Sequence, residues 1–436
     1  MSVNPFSYGN PITDPQHFFG RKHEVDQVYS RLRNIGFESS SIVGERRIGK
    51  TSLLKFMMHP EVRLSYGLDS DKYLFIYLDL QMIDKDTTPL RLWQRCLRQM
   101  ERSCPDAEVK QMFEEMRTTD TIDTFAIADL FDSMDEKGLY LVFLLDEFEN
   151  VTANQNFDAA FFYGLRSLAT HHHLSLITSS RRELIELCHS EAIRSSPFFN
   201  IFANINLRLF TEVEAKNLID QLLTGTRISF THEELDLILC SAGYHPYFLQ
   251  IACYFLFEAY SQGLALNERM KFMSKEFREE ASPHFDDYWH NCYEQEKIVL
   301  TALALLKRQQ RKVGGRTFSL EHLQEMYARS EQTLEHLEKR GLLISESDGY
   351  SLFGLSFGEW ICKEITDTIH DQQSYEDWLK SNRSMLERLS TKAKTDLGEI
   401  LPKISDKYRE LIITWVSDPK NLILVAGLLK AALGIS

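Results

Sequence analysis

Three groups of residues in this 436-residue sequence have types and spacings suited to one chemistry. The first is the run Gly44, Glu45, Arg46, Arg47, Ile48, Gly49, Lys50, Thr51 and Ser52. Its glycines admit backbone torsions that side chains forbid, so successive N–H groups can converge on a phosphate where a helix begins. Lys50 adds a compact positive charge for β- and γ-phosphates, and the Thr51 hydroxyl is a ligand for Mg²⁺. The second group is Asp146 and Glu147, which close a run of apolar residues in "LYLVFLLDEFEN". Asp146 would hold Mg²⁺ through water, and Glu147 would polarise an attacking water. The third is the polar end of "LSLITSSR", where Thr178, Ser179 or Ser180 can touch a terminal phosphate and Arg181 can neutralise its charge. Together they predict Mg²⁺-assisted phosphoanhydride hydrolysis, with Lys50, Glu147 and Arg181 as the catalytic candidates.

Such residues work only if strands and helices bring them to one edge. "SSSIV" before the loop reads as a short buried strand and "KTSLLKFMM" after it as a helix, the context the phosphate loop requires. An amphipathic helix precedes it, over Lys22 to Arg33. Further strands are predicted at Tyr73 to Leu80, at the run ending in Asp146, at Leu174 to Arg181 and at Ile205 to Phe210. Helices are predicted at Leu90 to Met116 and Ile122 to Met134. This alternation points to a parallel sheet covered on both faces, with the acids at its carboxyl edge beside the loop. Asp79, ending the second strand, is a candidate to support that edge.

Beyond Thr211 the pattern is all-helical, with Thr211 and Thr231 as caps. In "AGYHPYFLQ", Pro246 starts a helix and holds His245 out of the helical region, which could bring this turn to a base or a phosphate. From Tyr288 the order is helices, a helix ended by Gly341, and a strand pair around Asp348 and Gly349, the pattern of a winged helix. Its expected recognition helix, "SEQTLEHLEKRG", mixes Glu331, Glu335 and Glu338 with Lys339 and Arg340, which is poor chemistry for DNA phosphates. The one basic cluster is Lys307 to Arg316. The tail ends in a Ser417/Asp418-capped helix of about fifteen apolar residues, about 22 Å long against the roughly 30 Å of a bilayer core. It is expected to dock on protein, its own chain or a partner.

Composition narrows the class. Apolar residues make up 43% and charged residues 26%, as in a globular protein with separate cores. A net charge of -14 disfavours wrapping of nucleic acid. Seven scattered cysteines without a CxxC pair suggest neither zinc nor a disulfide framework. The histidines at 171 to 173 read as a loop rather than a metal site. No signal pattern or long apolar run is seen, so a cytoplasmic protein is expected and membrane attachment is not.

The passages "FFGRKHE", "GERRIGKTSLL", "LYLVFLLDEFE" and "AGYHPYFLQ", followed by a winged-helix pattern, resemble the STAND class of ATPases within the AAA+ group, in its bacterial and archaeal branches. The resemblance covers roughly residues 1 to 360. It implies that Phe19, Gly20 and Arg21 lie against the adenine, that Ser180 and Arg181 form a strand-end sensor, and that Pro246 belongs to a lid turn near the base. It also implies an ATP/ADP switch with Mg²⁺ and slow turnover, acting through nucleotide-dependent self-association or a protein partner, with the tail as a contact, in stress signalling or defence. The alternative is a DNA-associated ATPase of the origin-recognition or transposition-helper kind; a third is a scaffold that holds ADP permanently. The expected fold is α/β: a P-loop ATPase core over 1–210, a helical lid over 211–287, a winged helix over 288–370 and a helical tail over 371–436.

Overall fold

The computed structural model describes residues 3–293, 296–297, 299–300, 303–304, 330–346 and 349–368. The basic cluster Lys307 to Arg316 and the apolar tail predicted to be a helix lie outside them. The chain divides into two compact units, 2–227 and 228–436.

In the first unit α1 (Lys22–Leu32) precedes β1 (Ser39–Val43), and α2 (Lys50–Met58) and α3 (Pro60–Ser65) lead to β2 (Tyr73–Asp79). Then come α4 (Pro89–Ser103), α5 (Ala107–Arg117), α6 (Thr124–Glu136), β3 (Tyr140–Asp146), α7 (Glu149–Ala153), α8 (Ala159–His171) and β4 (Leu174–Ser180). A short α9 (Glu191–Arg194), β5 (Phe202–Asn206) and α10 (Glu212–Leu223) complete it. The five strands form one parallel sheet in the order β2-β3-β4-β1-β5. The expected α/β core with its covered parallel sheet is therefore present.

Strand alternation feeds two cores. Leu141, Phe143 and Leu145 point to the face covered by Trp93, Leu97, Leu130 and Phe162, whereas Val142 and Leu144 point to the face holding Val25, Val28, Leu53 and Leu54. Each such side chain contributes about 1.5–3 kcal/mol on full burial, which is why this sheet reads as continuous apolar runs.

Three boundaries differ from the sequence reading. The predicted helix over Leu90 to Met116 is two helices, because Pro105 disfavours helix at Cys104 and Asp106 caps α5 through the N–H groups of Glu108 and Val109. The next helix begins at Thr124 behind its Asp123 cap. The fifth strand runs from Phe202 to Asn206 rather than from Ile205 to Phe210. Its ladder follows β1 from Ser39 to Val43, and β1 ends where the phosphate loop turns away.

The second unit contains α11 (His232–Ala242), α12 (Pro246–Ser261), α13 (Leu266–His290), α14 (Ser330–Lys339), the antiparallel pair β6 (Leu343–Glu346) and β7 (Gly349–Leu352), and α15 (Leu355–Thr368). The expected Thr211 and Thr231 caps are both formed as capping boxes, with Glu214 and Glu234. Gly341, at φ 74°, follows α14 as expected of a helix stop.

The turn at His245 and Pro246 is built into this unit's core. Gly243 has φ 62°, and a Cβ there would come within 1.7 Å of the Phe353 carbonyl oxygen. His245 is buried, its Nε2 3.1 Å from the Tyr288 hydroxyl, and Phe248 stacks on Phe353 with ring centroids 5.5 Å apart. The helical turn and the corner after β7 thus share one aromatic cluster. No helix among the described residues is long and apolar enough to cross a membrane.

Candidate functional site

The phosphate loop follows β1 directly. Gly44 donates to the Ser180 carbonyl at 3.1 Å, and a side chain on it would meet Ile48 and the Leu207 carbonyl. Gly49, at φ 108°, sits in open space where no atom lies within 4 Å of an added Cβ. The loop is a cradle of backbone at the start of α2, as an anion site requires. Arg47 also takes a left-handed conformation, φ 65°, and Arg46 and Arg47 are exposed while Glu45 and Ile48 are buried. Lys50 is buried and its Nζ donates to the carbonyls of Gly44 (2.8 Å) and Glu45 (3.1 Å), which aims the ammonium across the loop mouth. Thr51 and Ser52 are half-buried in the first turn of α2, and Ser52 Oγ accepts from the Ile12 N–H at 3.0 Å, tying the leading segment to the loop.

The segment preceding α1 supports the loop from behind. Arg21 is buried; it donates to the Ile48 carbonyl and to Glu24, each at 3.2 Å, and stands 4.7 Å from the Phe210 ring centroid. Burial lowers its pKa, and Glu24 and Glu214 oppose that shift. Gly20 is left-handed, φ 68°, and lies against the Phe210 ring. Phe19 is half-buried beside it, and Phe18 stacks on Phe56 of α2 at 4.4 Å.

The acidic pair is held by β4, as the strand order demands. β4 lies between β1 and β3, so its end touches both the loop and the acids. The Ser179 hydroxyl donates to Asp146 Oδ1 and accepts from the Glu147 N–H at 3.0 Å. The Tyr77 hydroxyl donates to Asp146 Oδ2 at 2.9 Å. Burial and the Asp146 charge raise the Tyr77 pKa, so the phenol stays a donor. Lys55 lies 3.4 Å from the Tyr77 ring centroid, on its face. Glu147 itself has φ 57°, a strained conformation for a residue with a Cβ, of the kind that collects at working sites.

The structure thus brings Gly44 through Ser52, Asp146 and Glu147, and Ser180 and Arg181 to one sheet edge. Ser180 sends its hydroxyl to the Arg182 carbonyl at 2.6 Å, and the hydroxyl that reaches the acids is that of Ser179. Asp79 is in register with Asp146, but it is exposed and caps the next turn through the Gln81 N–H at 3.0 Å. Pro246 belongs to the second unit, where it opens α12. The sequence reading did not single out Tyr77 or Glu149. Glu149 begins α7 with Oε1 accepting from the Arg181 N–H at 3.2 Å. The histidines at 171 to 173 separate: His171 bonds back to the Ser167 carbonyl, while Nδ1 of His172 and of His173 lie 3.2 and 2.9 Å from Asp135.

A magnesium nucleotide fits these residues. The cradle offers N–H groups and space, Lys50 is fixed to meet phosphate charge, and the oxygen donors Thr51 and Asp146 suit a hard dication. When bound, Mg²⁺ would neutralise charge on the phosphates.

Residues 34–308 match the family model described as Novel STAND NTPase 2. No curated protein matched the chain. Among solved structures, the chain is similar to the ORC2 protein of Aeropyrum pernix in its ADPNP-ADP complexes, at 15% identity and TM-score 0.52, over 83% of this chain and 98% of that one. It is similar also to the Walker-type ATPase of Pyrococcus abyssi, at 16% identity and TM-score 0.49, over 81% and 98%. The ORC1 protein of Aeropyrum pernix in complex with DNA gives 13% identity and TM-score 0.40, over 80% and 93%. At these identities the likeness to ORC2 is one of fold.

Proposed function

Because the chain belongs to the novel STAND NTPase 2 family, we propose that it binds ATP and ADP with Mg²⁺ at Gly44 to Ser52, hydrolyses ATP slowly, and works as a nucleotide-controlled conformational switch. Its output is self-assembly or engagement of a protein partner, in stress signalling or defence. The observation that carries this reading is the Ser179 hydroxyl, which ties Asp146 and the Glu147 backbone together at the strand that also borders the phosphate loop.

In this reading Lys50 and the loop N–H groups hold the β- and γ-phosphates, while Thr51 and Asp146 hold the metal. Glu147 orients and polarises water, and Arg181 answers charge on the terminal phosphate. Phe19, Gly20 and Arg21 are assigned to the adenine side, and Ser180 to the sensor strand. ATP and ADP differ at the terminal phosphate, and only that difference can shift a conformational population. Phosphate release by wild type and by Glu147→Gln tests the chemistry. Molar mass in solution with ADP and with a non-hydrolysable ATP analogue tests the output; an unchanged monomer in both overturns assembly.

The DNA-associated alternative is the weaker one. Arg340, assigned to the DNA-facing helix in sequence, is buried with its Nη1 2.6 Å from Glu296 Oε2, and the exposed face of α14 carries Glu331 and Glu335 beside Lys339. A DNA titration at several salt concentrations separates the readings, since phosphate contacts give a steep salt slope.

A further inference from the structure

We propose that Glu149 selects ATP over ADP by donating a hydrogen bond, as the neutral carboxylic acid, from Oε2 to the terminal phosphate. The inference rests on the nucleotide site argued above and adds to it a residue and a proton.

The geometry singles out this side chain. After the left-handed Glu147, Phe148 donates its N–H to the Ser179 carbonyl at 2.9 Å, and Glu149 opens α7 beside the end of β4. One carboxyl oxygen is fixed by the Arg181 N–H at 3.2 Å. The other, Oε2, is shut off from solvent and has no hydrogen-bond partner among the described residues. A carboxylate leaving one oxygen dry and unpaired is costly, so such an oxygen calls either for a ligand or for a proton.

The charges around it are those of the phosphate site. Lys50 attracts Glu149 and Glu147 repels it; burial is the largest influence, and the balance pushes the carboxyl up to about 7. Around α7, the turn at Leu80–Met82 bears no titratable side chain, the turn at Leu184–Leu187 carries only the exposed Glu186, and His189 meets the far end of α7 at the Thr152 carbonyl. A terminal phosphate arriving at Lys50 adds negative charge beside Glu147 and Glu149, which favours the acid form of Glu149. As an acid it offers an O–H where a carboxylate would repel. ADP brings no group to that position and gains nothing from the proton.

The test measures affinities of the full chain for ADP and for a non-hydrolysable ATP analogue, both with Mg²⁺, from pH 6.5 to 8.5. The preference for the ATP analogue should fall about 20-fold across that range as the acid form is depleted. Glu149→Gln, whose amide is a permanent N–H donor, should keep the preference and lose its pH dependence. Glu149→Ala should show little preference at any pH while still binding ADP. Parallel pH profiles for wild type and Glu149→Gln, or an undiminished preference in Glu149→Ala, overturn the role of Glu149 and leave the nucleotide site standing. Wild type that binds neither nucleotide overturns both.

Discussion

Removing one oxygen atom, in Ser179→Ala, should loosen the whole acidic edge. Ser179 is fully buried, and its hydroxyl makes two bonds at once, to Asp146 and from the Glu147 N–H. The bond to Asp146 involves a charged group, worth roughly 1.5–3 kcal/mol, and the N–H left behind costs roughly 1–3 kcal/mol if it finds no other acceptor. Tyr77 still serves the second oxygen of Asp146, so the lower halves of these ranges apply, giving about 3 kcal/mol in all. For a folding unit of this size that is a fall in Tm of about 6–12 °C. Scanning calorimetry of wild type, Ser179→Ala, Ser179→Thr and Tyr77→Phe checks it. Ser179→Thr keeps the hydroxyl and should recover most of the loss, and Tyr77→Phe should lose less than Ser179→Ala. Because Asp146 is also the proposed metal holder, Mg²⁺-dependent nucleotide affinity should drop about tenfold, the equivalent of 1.4 kcal/mol. A Ser179→Ala protein that melts within 2 °C of wild type and binds nucleotide equally would refute the account of Ser179 as the tie between the strands.

Other outcomes follow from the same geometry. Glu147→Gly should abolish phosphate release yet raise stability by about 1 kcal/mol in urea melts, because glycine accepts the left-handed turn without strain. Gly243→Ala should be far more damaging than Gly225→Ala: both positions are left-handed, but only the first would drive a Cβ into the Phe353 carbonyl, and circular-dichroism melts rank the two. Burial acts most strongly on Glu296 and would raise its pKa, but the bonds to His336 and Arg340 outweigh it and hold the carboxyl down to about 2. A depressed folded-state pKa means stability that is present above the ordinary glutamate range and lost as pH falls from about 4.5 toward 2. Melting from pH 6 to pH 3 should therefore cost wild type more than it costs Glu296→Gln.

The phosphate loop was legible because its backbone demands particular residues at fixed spacing, and the acids because an apolar run ended abruptly in two charges. What escaped depends on how segments meet. Three polar residues, Thr178 to Ser180, end β4, and nothing local says which one faces β3. That is set by the register pairing Leu145 with Thr178, which leaves Ser179 beside Asp146. Glu149 gives no local signal, since its contact with the Arg181 N–H joins positions 32 residues apart. Arg340 read as the basic end of a helix, yet its partner lies 44 residues earlier. The turn at His245 and Pro246 reads in sequence either as an approach to base or phosphate or as a plain helix start, and the His245 ring lies beside Tyr288 and Phe353. The fifth strand was misplaced because its limits belong to the strand it pairs with.

The shared backbone contact of Gly243 with Phe353 bears on how the molecule can be cut. Splitting the chain after His290, where α13 ends, would strip Phe248, Phe285 and Tyr288 of Phe353 and Phe357 and leave an aromatic wound open to water. A fragment ended there should clump, and one carried through α15 should stay dispersed.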